Sequence, residues 1–342
     1  MAQALAIKYR PKCWEDLTEQ SGVVEILNNQ VYTNTIKHGY LFCGGAGTGK
    51  TTSARIFASM INKGCGKPIE LDAASNNSVD DIRRITEQAN KKSLDSEYKV
   101  FILDEVHVLS NQAWQAMLKT LEEPPAKSIF ILCTTNPEKI PATILSRVQR
   151  YNFQRISHEG IVNRLITILK SERSENSNIS WDCEAVEYIA KIADGGMRDA
   201  ITLVDKCLSY SKDLTVDNVI SALGVVDYST MFDLIEMFYN KDTQSCLETI
   251  NNIYSSGMDL KLFIKDFFEF ILDVNVAVTL NSLKFTKLPN SWQSTISKFD
   301  PSYENVIFNL LSMLSSLQSS IKWEQNPKAV ISAKFILFMS EV

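Results

Sequence analysis

"LFCGGAGTGKTT", residues 41–52, is the stretch whose reading decides the fold. It fits G-x-x-x-x-G-K-[ST], with Gly44, Gly49, Lys50 and Thr51 at the required positions. Gly44, Gly45, Ala46, Gly47, Thr48 and Gly49 form a run of mostly small residues. Such a run lets consecutive backbone N–H groups curl around phosphate oxygens. Lys50, Thr51 and Thr52 open the helix that follows, whose positive end points at the same anion. In loops of this kind the lysine reaches the outer phosphates and the hydroxyl holds Mg²⁺, which assigns those roles to Lys50 and Thr51. "GYLF" before the loop reads as a short apolar strand. "TTSARIFASMI" after it reads as a helix, with Ile56, Phe57, Met60 and Ile61 as apolar positions. An ordinary Gly/Thr turn does not require that strand–loop–helix setting, and a phosphate-binding loop does.

Working outward, the first 155 residues alternate short β-rich runs with helical patterns. The runs are "GYLFC" (39–43), "PIELDA" (68–73), "KVFILDE" (99–105) and "SIFILCTT" (128–135). Val100–Leu103 and Ile129–Leu132 are continuously apolar, as suits strands buried on both faces of a parallel sheet. The third run ends in Asp104, a carboxylate at the strand's C-terminal edge that can orient the Mg²⁺ shell. Glu105 beside it is placed to polarise a water for attack on phosphorus. Thr135 ends the fourth run, where a hydroxyl can feel the outer phosphate, although Thr-Thr-Asn-Pro is also a plain turn signal. Two arginines stand out: Arg147 in "TILSR", and Arg198 in "GGMRDAI", just after the glycines that stop the preceding helix. An isolated arginine is more often a solvated ion pair than a ligand.

From about residue 156 strand signals vanish. "SHEGIVNRLITILKSER", "WDCEAVEYIAKIAD" and "MRDAITLVDKCLSYS" read as three helices. Beyond residue 225 the chain is again helical, with Leu310, Leu314, Leu317 and Ile321 on one stripe. A further helix follows Pro327, with Ala329, Val330, Ala333, Ile336 and Leu337 as its apolar positions, and both stripes read first as core. The expected division is 1–155, 156–222 and 223–342.

Composition bounds the partners. Lys and Arg number 35 against 40 Asp and Glu, and 35 − 40 = −5 argues against wholesale coating of nucleic acid. Seven scattered cysteines without a C-x-x-C argue against a disulfide framework or a zinc site and suit a reducing cytoplasm. "MAQALAI" is too short for a secretory signal. "FIKDFFEFILDVNVAVTL" is interrupted by Lys265, Asp266, Glu269 and Asp273, so it reads as a buried helix with no membrane role.

Six segments in order carry a resemblance: "YRPKCWEDL", "HGYLFCGGAGTGKTT", "ELDAASNNSVDDIR", "FILDEVHVLSNQAWQAMLKTLEEPP", "CTTNPEKIPATILSR" and "GGMRDAITLVDK". Together they resemble the gamma/tau subunit family of the bacterial DNA polymerase III clamp loader, AAA+ ATPases related to replication factor C. The match is dense over residues 5–208 and weak beyond, mainly "IKWEQNPKAVI". The resemblance implies an α/β AAA+ P-loop NTPase domain, a parallel sheet with flanking helices, followed by a helical lid and an all-α C-terminal collar. It implies ATP and Mg²⁺ as ligands, and a motor that opens a sliding clamp and places it on primer–template DNA. It also implies a pentamer of identical or related subunits. Residue by residue, Thr135 matches the sensor-1 position, and Arg147 the finger that acts on ATP in the neighbouring subunit. Arg198 matches sensor 2, and Tyr9, Arg10 and Pro11 lie in the segment that wraps the adenine side. DNA backbone contact is expected at helix N-termini near Asn76, Asn77 and Ser78 and at Thr143. Trp114 lies on the helix that meets the clamp, as a contact or as a core aromatic.

Three departures qualify the resemblance. The family's four-cysteine zinc module is replaced by "INKGCGKPIEL", which leaves Cys65 alone, so zinc is not expected. Basic residues common after "DAAS" give way to Asn76, Asn77 and Ser78, which weakens electrostatic DNA binding. Val148 stands where a cysteine usually follows the finger arginine. Since the residues end at 342, the shorter family form, without the long extension of the larger one, is the expectation. The rival readings are another AAA+ machine, such as a branch-migration motor or helicase loader, and a non-hydrolysing structural subunit. Intact Lys50, Thr51, Asp104 and Glu105 oppose the second.

Overall fold

The alternation of side chains along the strands sets the architecture. The computed structural model describes residues 3–341, apart from positions 92, 94, 225, 227, 289–291, 297–298 and 300–302. It divides into two compact units, Met1–Lys170 with Ala193–Asp205, and Ser171–Ile192 with Lys206–Val342.

In the first unit the chain runs through α1 (Leu5–Lys8), α2 (Ser21–Tyr32), β1 (Gly39–Gly44), α3 (Lys50–Ile61), β2 (Ile69–Asp72) and α4 (Val79–Ala89). It continues through β3 (Lys99–Asp104), α5 (Asn111–Glu122), β4 (Ser128–Thr134), α6 (Ala142–Leu145) and β5 (Gln149–Phe153). The five strands form one parallel sheet in the order β2-β3-β4-β1-β5. Successive side chains point to opposite faces, so each central strand feeds two cores. Tyr40 and Phe42, Val100 and Ile102, and Ile129 and Ile131 pack with Leu27 of α2 and Phe57 of α3 on one face. Leu41, Phe101, Leu103, Phe130 and Leu132 pack with Ile82 and Ile85 of α4 and with Trp114 and Met117 of α5 on the other. A layer on each face is why the central runs are apolar without interruption.

The fifth strand was not expected from the sequence. "QRYNF" buries only Tyr151 and Phe153, because β5 is an edge strand and its other residues stay wet. A search for continuous apolar runs passes over such a pattern.

The chain goes on through α7 (His158–Glu175), β6 (Ser180–Trp181), α8 (Cys183–Ile192), α9 (Met197–Tyr210) and β7 (Asp213–Leu214). Residues 158–170 and 197–205 belong with the first unit, so the expected 156–222 segment is shared between the two. Strands also do not end at 156: β6 and β7 form a short parallel pair in the second unit. At two residues each, they leave no periodicity to read.

The second unit continues with α10 (Val216–Leu223), α11 (Tyr228–Asn240), α12 (Thr243–Ser255) and α13 (Leu260–Leu280). It ends with α14 (Gln293–Ile296), α15 (Glu304–Ile321) and α16 (Pro327–Glu341). Its core gathers Phe238, Phe263, Phe267 and Phe335 with the α15 stripe Leu310, Leu314, Leu317 and Ile321, as expected. The stripe expected for α16 is not the buried one. Ile331, Phe335, Phe338 and Met339 face the core, while Ala329, Ala333, Ile336 and Leu337 are exposed. This helix is apolar around much of its circumference, so the pattern alone does not choose a face. Among the described residues, no helix is long and apolar enough to cross a membrane.

Candidate active site

The phosphate-binding loop is built by close backbone approach. Gly44 pairs with Phe153 across β1 and β5, and a Cβ there would lie 2.5 Å from the Phe153 carbonyl oxygen. Gly47 has φ +69°, and a Cβ on it would sit 2.9 Å from the Gly196 Cα. The Met197 N–H donates to the Gly47 carbonyl at 3.1 Å, which ties the loop to the start of α9. Only glycine allows this contact in that conformation, and the contact is what carries Arg198 to the loop.

Lys50 and Thr51 are the first residues of α3. Lys50 is 6% exposed, and its Nζ donates to the Gly44 and Gly45 carbonyls at 2.9 and 2.7 Å. Burial pulls its amine below the usual lysine range, opposed by Glu105 and Asp104. Thr51 Oγ1 donates to Asp104 Oδ2 at 2.7 Å. Asp104 Oδ1 accepts from the Glu105 N–H at 3.1 Å. The end of β3 and the start of α3 therefore bring a hydroxyl and a carboxylate together. Oxygen donors of this kind are the ones Mg²⁺ takes, so Thr51 and Asp104 fit the metal role. Thr135, just past β4, donates to Glu105 Oε2 at 3.1 Å.

One cavity collects most of the expected residues. Tyr9, Arg10 and Pro11 line it, with Ala46 to Thr52 of the loop and helix, Asp104, Glu105 and Arg198. Gly44 and Gly45 are not among its lining residues and serve instead as acceptors for Lys50. Thr135 does not line it either and reaches it through Glu105. Sequence reasoning missed Ala6, Leu17, Ile156, Met197 and Ile201, which give the cavity an apolar component suited to a purine. It also missed Arg164 of α7, which lines the cavity and donates to the Tyr9 carbonyl at 3.3 Å. Thr18 and Asp199 complete the omissions. Arg164 meets a carbonyl far away in sequence, so no local spacing announces it.

The remaining expected residues lie elsewhere. Arg147 is outside the cavity lining; its guanidinium donates to Glu122 Oε1 and to the Thr143 carbonyl, both at 2.7 Å. Trp114 is 4% exposed inside the α4–α5 core, so it is a core aromatic and offers no surface to a clamp. Asn76 and Asn77 precede α4, whose N-terminus is closed by a capping box between Ser78 and Asp81, with Asp80 in the same turn. Those carboxylates already answer the helix dipole that a DNA phosphate would use. Thr143 sits on the one-turn α6, exposed.

Comparison with known proteins agrees with this architecture. Residues 67–157 match the profile of the DNA polymerase III delta subunit, 160–213 that of the clamp loader ATPase lid domain, and 214–328 domain III of the gamma and tau subunits. The solved Thermotoga maritima RuvB Holliday junction branch migration motor shares the fold. It aligns at a TM-score of 0.51 and 17% identity over 73% of this chain and 86% of its own. Among curated relatives, the tau subunit of Bacillus subtilis is 35% identical, over 95% of this chain and 61% of its own. The tau subunit of Escherichia coli K12 is 33% identical, over 75% of this chain and 43% of its own. The chain thus spans only about half the length of several relatives. The gamma subunit of Buchnera aphidicola is closer in extent, 33% identical over 79% of each. With an AAA+ phosphate site joined to a lid and a gamma/tau domain III, the chain belongs to the DNA polymerase III gamma/tau family of clamp loader subunits.

Proposed function

We propose that the chain is an ATP-driven motor subunit that opens a sliding clamp and places it on primer–template DNA in the cytoplasm. The observation that carries the reading is the cluster Lys50, Thr51, Asp104, Glu105 and Thr135 at the C-terminal edge of the sheet. Lys50 offers its charge to the β- and γ-phosphates, and Arg198 offers a second cation from the start of α9. Thr51 and Asp104 would hold Mg²⁺, which when bound neutralises charge on the phosphate oxygens. Glu105 accepts a proton from the attacking water as its oxygen bonds to the γ-phosphorus. The bond from phosphorus to the bridging oxygen breaks, releasing ADP and phosphate. Tyr9, Arg10 and Pro11 face the base.

Arg147 is exposed, lies outside the cavity lining and is held by Glu122. That suits a finger presented to the nucleotide of an adjoining subunit, a contribution of roughly 10³–10⁵ in related NTPases. In the second unit, Phe308 and Trp323 are 70% and 83% exposed, as befits a collar that assembles subunits into a pentamer. DNA would be met through its backbone near the exposed Thr143, while the α4 start, closed by Ser78 and Asp81, adds little to that contact. The test is ATP hydrolysis measured with clamp and primed DNA, separately and together. Synergistic stimulation is expected; indifference to the clamp would favour a different AAA+ machine.

A further inference from the structure

We infer that His107, which lies outside the cavity lining, is a positioning residue for Glu105, holding one oxygen of its carboxylate so that the other faces the attacking water. The inference rests on the ATPase reading above. Three contacts link His107, Glu105 and two threonines. His107 Nδ1 lies 3.2 Å from Glu105 Oε2 and 3.3 Å from the hydroxyl of Thr134. Thr135 donates to the same Oε2 at 3.1 Å. Both contacts to the carboxylate therefore fall on Oε2, which leaves Oε1 for a water.

The backbone explains how so short a loop achieves this. Glu105 sits in the left-handed region, φ 50° and ψ 41°, which a side-chain-bearing residue adopts rarely and at a cost. The chain reverses there into a single 3₁₀ turn, Val106–Val108, closed by bonds from the Val108 N–H to the Glu105 carbonyl and from Leu109 to Val106. Val106 is fully buried and anchors the turn. The reversal brings the imidazole two residues on back against the carboxylate. On the far side, adjacent threonines at the end of β4 divide the work. The fully buried Thr134 meets the ring, and Thr135 meets the carboxylate. The Thr134 hydroxyl also accepts from the Asn136 N–H at 3.1 Å, so its own position is fixed. The His107 side chain is 13% exposed against 36% for Glu105, which places the ring behind the carboxylate rather than in solvent. For the ring to hold the carboxylate oxygen that lies 3.2 Å away, the hydrogen must sit on Nδ1.

The test compares the full chain with His107→Ala, His107→Asn and His107→Gln in steady-state ATP hydrolysis. An asparagine amide nitrogen reaches about where Nδ1 sits, and a glutamine nitrogen about where Nε2 sits. His107→Ala should lower kcat about tenfold, a part of the ~10²–10⁴ that a placed base supplies, with KM within about twofold. His107→Asn should recover most of the loss and His107→Gln little of it. An unchanged kcat in His107→Ala, equal rescue by the two amides, or a parallel fall of KM-based affinity and thermal stability would overturn the inference. Wild type and Glu105→Gln run beside them separate the two claims. If wild type is inert even when assembled with clamp and primed DNA, the ATPase reading fails; if wild type turns over and His107→Ala matches it, the positioning role fails alone. A second readout needs no turnover. The chain has three histidines, His38, His107 and His158, so ¹⁵N spectra assign them by substitution. His107 should carry its hydrogen on Nδ1 in the wild type and lose that preference in Glu105→Ala. Persistence of the Nδ1–H form in that variant would also overturn it.

Discussion

At the scale of single residues, the site separates binding from turnover. Lys50 is buried against the carbonyls of its own loop and keeps its charge close to where phosphate oxygens enter. Lys50→Ala is expected to abolish nucleotide binding in a fluorescent-ATP titration. Glu105→Gln should bind within about threefold of wild type and lose ~10²–10⁴ in turnover, because only proton transfer is removed. A residue far from the site makes a different prediction. In α13, burial and then the neighbouring Glu269 push the Asp266 carboxyl up to about 6, with Lys265 and Lys287 acting the other way. The sign follows from linkage. Between about pH 4 and 6 the folded chain holds a proton that the unfolded chain has released, so this group's contribution to stability falls as pH rises through that window. Asp266→Asn should therefore raise the unfolding free energy measured by urea titration at pH 7.5, by on the order of 1 kcal/mol after allowing for partial solvent screening, and change it little at pH 4.

At the scale of elements, the contact between the phosphate loop and the start of α9 is the critical joint. Gly47 meets Gly196 backbone to backbone, and the Met197 N–H donates to the Gly47 carbonyl. Gly47→Ala puts a methyl 2.9 Å from the Gly196 Cα at a positive φ, so loop or helix must shift. A loss of about 1–3 kcal/mol in stability is expected, together with a weaker ATP titration, both measurable on the purified variant. How far such joints are legible in sequence depends on range. Gly44 to Thr51 and the apolar run into Asp104 were readable because a few consecutive residues carry the whole message. The edge strand β5 was not, since its alternating Tyr151 and Phe153 match no continuous run. Arg164 was not, because its acceptor lies 155 positions away. Trp114 was legible as apolar and on a helix, but not as inward-facing, since the pattern left both faces open. His107 needed the left-handed turn at Glu105, a backbone event that no neighbouring residue type announces.

At the scale of the whole molecule, the proposed motor divides labour between chains. On the proposed function, each subunit would supply Lys50, Thr51, Asp104 and Glu105 to its own nucleotide and lend Arg147 to another. Residue pairing supports that division: Arg147 is engaged by Glu122 and the Thr143 carbonyl outside the cavity lined by the other cations. The most direct test mixes two variants in the assembled state, Arg147→Ala and Glu105→Gln, and measures ATP hydrolysis. Each alone should be nearly inactive. The mixture should regain a substantial part of wild-type activity, because an intact pocket from the first then meets an intact arginine from the second. Full activity in Arg147→Ala alone, or no gain on mixing while both variants still bind ATP and co-assemble, would contradict the account.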